Sequence, residues 1–346
     1  MTSLDTLAAL SWTPLTLEDA PALTALLNRI DAAEQRQEPA EEPTIRDWLS
    51  MPGHDLGADS FAVRDGERLV AFGLVDVASG LDRDGRARCE LSGGVDPEYR
   101  RRGLGTALLE RGEERAAQVA ADRHSGADAI VRVSGGRDPE PSDGDGDGDG
   151  DGDGDGAGAA VAGGADVRPV LDRRGYHRAR SWFSMGRGLP AADIESRQLP
   201  GLDLLAPAED HLELTRLAHV AAFADHWGSA PVTPERWRAL CTSHTARPAL
   251  STIAVDAEGT VLGYALATED RAGVLHIALV GTRPEARGRG IARAVIARSL
   301  DAASRAGCTT AELEVDTESL TGATRLYEAL GFTRRHVETT YEKPLR

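Results

Sequence analysis

Gly281-Thr282-Arg283-Pro284-Glu285-Ala286-Arg287-Gly288-Arg289-Gly290-Ile291-Ala292 follows an apolar run, Val274 to Val280, and opens a helical pattern that extends to about Arg305. Strand, glycine turn and helix in that order make an anion cradle. A turn holding Gly288 and Gly290 has no side chain to keep a ligand off its backbone. The helix beyond it aims its unpaired N–H groups and the positive end of its dipole at the turn. Arg287 and Arg289 add charge. The stretch lacks the Gly-Lys-Ser/Thr ending of a phosphate loop and is not G-x-G-x-x-G, so the common nucleotide motifs do not describe it.

The design occurs twice. Val95-Asp96-Pro97-Glu98-Tyr99-Arg100-Arg101-Arg102-Gly103-Leu104-Gly105 aligns with it without a gap, matching Pro97 to Pro284, Arg100 to Arg287, Gly103 to Gly290 and Gly105 to Ala292. Upstream, Phe61 to Val75 runs parallel to Ile253 to Ala267, and each reads as a hairpin. One Arg-x-x-Gly-x-Gly/Ala turn is weak evidence of anything. Two copies, each after a hairpin and a third strand, indicate a duplicated domain.

Arg-x-x-Gly-x-Gly/Ala between a fourth strand and a helix, with Ala323-x-x-Leu326-Tyr327-x-x-x-Gly331-Phe332 downstream, resembles the GNAT superfamily of acyl-CoA N-acetyltransferases. The resemblance covers nearly the whole chain as a tandem pair. The pairing, the Ala-Phe-Ala-Asp-His-Trp-Gly stretch at 222–228 and the Thr321-Gly322-Ala323 lead-in are similar to mycothiol-synthase-like double-GNAT proteins. The fold implied is α/β (α+β): two GNAT-like domains, each a mixed, mostly antiparallel sheet flanked by helices. The boundaries expected are 1–190 for a degenerate first domain, 191–201 for a linker and 202–346 for a catalytic second domain.

Composition agrees with this. A chain of 346 residues suits two domains with proper cores, and a net charge of −17 argues against nucleic acid or an anionic membrane as partner. Seven of those charges sit in the Asp-Gly repeats of 143–156, within an insertion placed at about 137–164. Alternating glycine and like charge predicts a solvated loop. It opens like a calcium loop, but the twelfth position is Gly154 where a bidentate Glu is needed. Cys89, Cys241 and Cys308 are widely spaced without C-x-x-C, so neither a disulfide framework nor a metal site is indicated. No signal peptide or long apolar run is legible, which leads to a cytoplasmic expectation.

Acetyl transfer to an amine needs the pyrophosphate of CoA held, the amine deprotonated, the carbonyl polarised and the thiolate reprotonated. Backbone N–H groups of Arg287, Gly288, Arg289, Gly290 and Ala292 can hold the pyrophosphate. Arg100, Arg102, Gly103 and Gly105 form the equivalent first cradle. The resemblance implies that a backbone N–H near Leu279 or Val280 bonds the thioester carbonyl, and that Tyr327 is the general acid. Leu171 stands in Tyr327's place in the first copy, and Pro169 is expected to break the helix there, so catalysis is assigned to the second copy. His276, on the fourth strand, is the favoured base, with Glu269, Asp270 and an ordered water as competitors. His226 and Trp227 fall in the loop expected to line the acceptor site, and Asp316 is placed to orient a cationic substrate. The expected activity is transfer of acetyl from acetyl-CoA to a primary amine of a small molecule, without metal, by a monomer or homodimer. A cysteinyl amine on a sugar–inositol conjugate is the narrower alternative, and a non-catalytic acyl-CoA sensor the alternative of another class.

Overall fold

The computed structural model describes residues 10–36, 38–139, 167–191, 198–224, 226–319 and 322–345. The Asp-Gly repeats and most of the expected linker lie outside the described residues. The first half runs through β1 (Ser11–Thr13), α1 (Ala20–Glu34), α2 (Glu42–Leu49), α3 (Leu56–Asp59), β2 (Ser60–Asp65), β3 (Arg68–Val77), β4 (Ala87–Val95), α4 (Leu104–Arg123), β5 (Ala129–Pro139), α5 (Arg168–Arg173) and β6 (His177–Gly188). The second half repeats the plan with β7 (Leu202–Leu205), α6 (Leu212–Phe223), α7 (Pro234–Cys241), β8 (Thr252–Asp256), β9 (Val261–Arg271), β10 (Val274–Thr282), α8 (Ile291–Arg305), β11 (Thr310–Asp316), α9 (Ala323–Glu328) and β12 (Thr333–Leu345).

Local chemistry sets several of these boundaries. Thr233 caps α7 by accepting from Arg236 N at 3.2 Å, with Pro234 at the first helical position. The Thr16 backbone N–H donates to Asp19 Oδ2 at 2.8 Å ahead of α1. Pro169 does not break α5. It lies in the helix's first turn, where its missing N–H has no intrahelical partner to lose. α6 does not turn its leucines to the core. Leu214 and Leu217 are 38% and 44% exposed, while Thr215 and Ala218 are buried.

All twelve strands join one sheet, ordered β1-β2-β3-β4-β5-β12-β6-β11-β10-β9-β8-β7. The final strand of each half lies in the other half's territory. β12 pairs with β5 from Leu345↔Ala129 to His336↔Pro139, and β6 pairs with β11 from Thr310↔Gly188 to Asp316↔Trp182. This exchange gives β5 and β11 antiparallel partners and leaves no open edge in the middle of the molecule. Helices cover both faces. Leu262, Ala265 and Ala267 of β9 pack with α8, whereas Val261, Tyr264 and Leu266 pack with α6. Among the described residues no helix is long and apolar enough to cross a membrane.

Candidate active site

The second cradle is a tight turn between β10 and α8. Gly288 (φ +77°) and Gly290 (φ +80°) take left-handed backbone conformations, and a Cβ at either would meet nothing within 4 Å. The backbone therefore borders open space, and α8 begins at Ile291 with Gly290 as its N-cap. Ala292 is in its first turn. Arg287 donates to the Ala222 carbonyl at 3.0 Å, and Arg289 is exposed. Uncluttered N–H groups, a helix N-terminus and exposed arginine fit a pyrophosphate.

β10 is irregular where the resemblance puts the carbonyl contact. Ile277 opposes Ala267 while Leu279 opposes Leu266, so Ala278 is an extra residue, a β-bulge. On its other side β10 pairs with β11 only from Val274↔Thr310 to His276↔Glu312. Past that point the strands part, and the backbone of Leu279 and Val280 borders the wedge between them. Tyr327 on α9 is 7% exposed, and burial pushes its hydroxyl up to about 12. At neutral pH it is a proton donor.

The first half keeps the outline of these features but changes their chemistry. β4 pairs with β3 from Ala71↔Val95 to Val77↔Cys89 with no shift of register, so no bulge is present. Arg101 (φ +63°) stands where the second half has Gly288, and Gly103 (φ +89°) opens α4, with Gly105 in its first turn. Arg100 is bound to Glu34 Oε1 at 2.7 Å, and Arg102 donates to the Glu98 carbonyl at 2.8 Å. A Cβ on Gly94 would come within 2.7 Å of Ile30 Cδ1, so α1 packs closely on the strand. Leu171 is 1% exposed and belongs to the core under α4.

His276 is gripped by two carboxylates, Glu314 at 2.7 Å and Asp270 at 3.5 Å. Burial disfavours its charge, but these partners outweigh burial and raise it to about 10. It is therefore an imidazolium at neutral pH, with no lone pair to accept a proton. Of the competing bases, Glu269 is paired with Arg247 at 2.8 Å and Asp270 with His276.

A cavity of about 450 Å³ opens beside Leu279, between the halves. His226 and Trp227 line it. Its floor comes from the strands where the halves meet: Asp76, Arg88, Glu90, Arg132, Trp182 and Thr340. His226 stacks on Trp182 at 6.2 Å, and the Trp227 ring lies 3.9 Å from the Arg132 guanidinium. Arg236 reaches across from α7 to Asp76. Burial raises the Glu90 carboxyl against the opposing pull of Arg88 and Arg132. His219, bonded to Tyr264 Oη at 2.6 Å, is pushed down to about 4 by burial and by His226. Asp316 is 6% exposed and lies 3.8 Å from Arg180. Sequence reasoning missed Glu90 and Arg132. The visible signal was a charge inside an apolar strand, Glu90 where the repeat has Ile277 and Arg132 after Ile130 and Val131.

The chain matches the family model described as Acetyltransferase (GNAT) family over residues 21–129 and again over 212–332. It belongs to the GNAT family of acetyltransferases, and it does so twice. Among curated relatives, mycothiol acetyltransferase of Geodermatophilus obscurus is 29% identical over 331 residues, covering 93% of each chain. That of Saccharopolyspora erythraea is 28% identical over 283 residues, covering 80% of this chain and 83% of the relative. Among solved structures, a GCN5-related N-acetyltransferase from Sphaerobacter thermophilus superposes with a TM-score of 0.66 at 26% identity, covering 98% of this chain and 96% of that one. A tandem GNAT protein from the clavulanic acid biosynthesis pathway gives 0.67 at 18% identity over 97% of this chain and 99% of that one, a likeness of fold.

Proposed function

We propose that the second half transfers an acetyl group from acetyl-CoA to a primary amine held in the cavity between the halves, while the first half serves as floor and scaffold. The observation that carries this is the coincidence, in one half only, of an open glycine cradle, a bulged β10 beside a wedge, and a buried phenol on α9. Acetyl-CoA supplies an activated acyl group. Backbone N–H groups from Arg287 to Ala292 receive its pyrophosphate. A backbone N–H at Leu279 or Val280 donates to the thioester oxygen as charge grows there. Tyr327 gives its proton to the departing sulfur. His226 and Trp227 wall the acceptor, and Asp316 stays beside Arg180.

The proton leaving the amine needs an acceptor in the cavity. His276 is already protonated, so its part is to hold Asp270 and Glu314 together. Glu90 and neutral His219 line the same space as Leu279 and are the groups available. Relatives named as mycothiol acetyltransferases favour, as the narrower reading, a cysteinyl amine on a sugar–inositol conjugate. A chromatographic assay of acetyl-amine formation from acetyl-CoA, with amines that include this conjugate, tests both. Acetylation of any of them supports the general reading, and a marked preference for the conjugate supports the narrow one. Tight acetyl-CoA binding without transfer to any amine would favour a sensor instead.

A further inference from the structure

Where the halves meet, two guanidinium groups close on one neutral oxygen. Arg132, 2% exposed, and Arg88 both donate through Nη1 to the Gly228 carbonyl, Arg132 at 3.5 Å. Gly228 has φ +65°, and a Cβ there would lie 2.1 Å from Arg132 Nη1, so only glycine lets the carbonyl come this close. Glu342 takes Arg132 Nε at 3.3 Å, and Glu90 stands 3.5 Å from Arg88 Nε without forming a hydrogen bond. The pairing is incomplete: Arg132 Nη2 and Arg88 Nε are buried and have no hydrogen-bond partner among the described residues. Buried donors are nearly always paired, and two cations sharing one carbonyl dipole repel each other.

We infer that the acceptor cavity selects an amine that also carries an anionic group, a carboxylate or a phosphate, and seats that group on Arg132 and Arg88 where the Gly228 carbonyl now stands. The inference rests on the acetyl-transfer reading above and narrows its substrate class. An anionic oxygen brings full charge and several lone pairs. It takes over the two Nη1 donors and gives the idle Nη2 a partner, with the fork geometry that arginine offers to carboxylate and phosphate. Glu90 lines the same cavity, and an ammonium group beside it would offset the burial that raises its carboxyl and favour the carboxylate. The site is thus dipolar and complements a zwitterion. A neutral polyol amine offers hydroxyls to these donors but brings no charge to the guanidinium faces that Glu342 and Glu90 leave open.

The test uses full-length protein saturated with CoA, titrated calorimetrically with ethanolamine, serine and O-phosphoethanolamine. These probes share a primary amine and carry no anion, a carboxylate or a phosphate. Serine or O-phosphoethanolamine should bind at least about tenfold more tightly than ethanolamine, and whichever does identifies the anion. Arg132→Gln should cut that advantage to under about threefold while CoA still binds, and Arg132→Lys, which keeps charge but not the fork, should fall between. If Arg132→Gln loses CoA binding, Arg88→Gln is read in its place. Equal binding of the three probes to the unaltered protein, binding of none, or a preference untouched by both glutamines would overturn the inference. Thiol release from acetyl-CoA with the same amines separates the two readings. Transfer without anion preference leaves the acetyltransferase and removes the anion site, whereas anion-selective binding without transfer does the reverse.

Discussion

The two halves share a plan and differ in four places where acyl transfer would act. The second has Gly288, a bulge at Ala278, Tyr327, and Arg287 bound to a neutral carbonyl. At the matching places the first has Arg101, an unbroken register, Leu171, and Arg100 bound to the Glu34 carboxylate. A carboxylate beside a cradle opposes a pyrophosphate, and a leucine has no proton to give. Duplication preserved the sheet, because strands and cores constrain each other, and left the ligand-facing positions free to diverge. The first half then contributes along the seam, where Glu90, Arg132 and Asp76 line the same cavity as Leu279.

The largest effect expected from breaking this asymmetry is kinetic. Tyr327→Phe should slow acetyl transfer by about 10- to 1000-fold at unchanged acetyl-CoA affinity, measured by thiol release and calorimetry, whereas Leu171→Tyr should add no activity and should lower stability through overpacking. Next comes the matched pair His276 and Cys89. With its pKa raised to about 10 from an ordinary 6.5, His276 contributes stability that is complete below about pH 6.5 and lost as pH rises through 10. His276→Asn should therefore cost roughly 2 kcal/mol at pH 6 and progressively less toward pH 10, by urea unfolding. Burial pushes the Cys89 thiol up to about 12 from an ordinary 9, so the cost of Cys89→Ala should stay flat up to about pH 8 and shrink only above about pH 9, where the unfolded thiol ionises.

Smaller effects belong to the seam and the first cradle. Burial opposes ionisation of Asp76, but His54 and Arg236 prevail and lower it to about 2. Its stabilisation is complete above about pH 4 and is lost as pH falls toward 2. Asp76→Asn should cost roughly 1–2 kcal/mol at pH 7, and the gap should close in acid. Arg101→Gly should change stability by less than about 1 kcal/mol, since relief of a left-handed arginine is offset by glycine's greater freedom when unfolded.

Local signals made most of the fold legible. The repeat, the hairpins and both glycine turns are short-range patterns, and the apolar run Val274 to Val280 is β10 (Val274–Thr282). The exchange of β6 and β12 was not legible, because either strand could pair in either half and only the assembled sheet chooses. The cavity floor depends on that choice, as Trp182 of β6 and Thr340 of β12 reach it only after the exchange. His276 was misjudged for a similar reason: its position on β10 could be read, but not the register that sets Glu314 beside it. Leu214 and Leu217 stay exposed on α6, which turns the smaller Thr215 and Ala218 to the sheet and so packs closely on β9 and β10.

The most direct test of the asymmetry is calorimetric titration of acetyl-CoA into the unaltered protein, Gly290→Glu and Gly103→Glu. Each variant puts a carboxylate on a left-handed glycine at a helix N-terminus, so the strain introduced is alike. Loss of binding in Gly290→Glu with unchanged affinity and stoichiometry in Gly103→Glu is the predicted result. Binding that survives Gly290→Glu, or that is lost in Gly103→Glu, would contradict the assignment of acetyl-CoA to the second half.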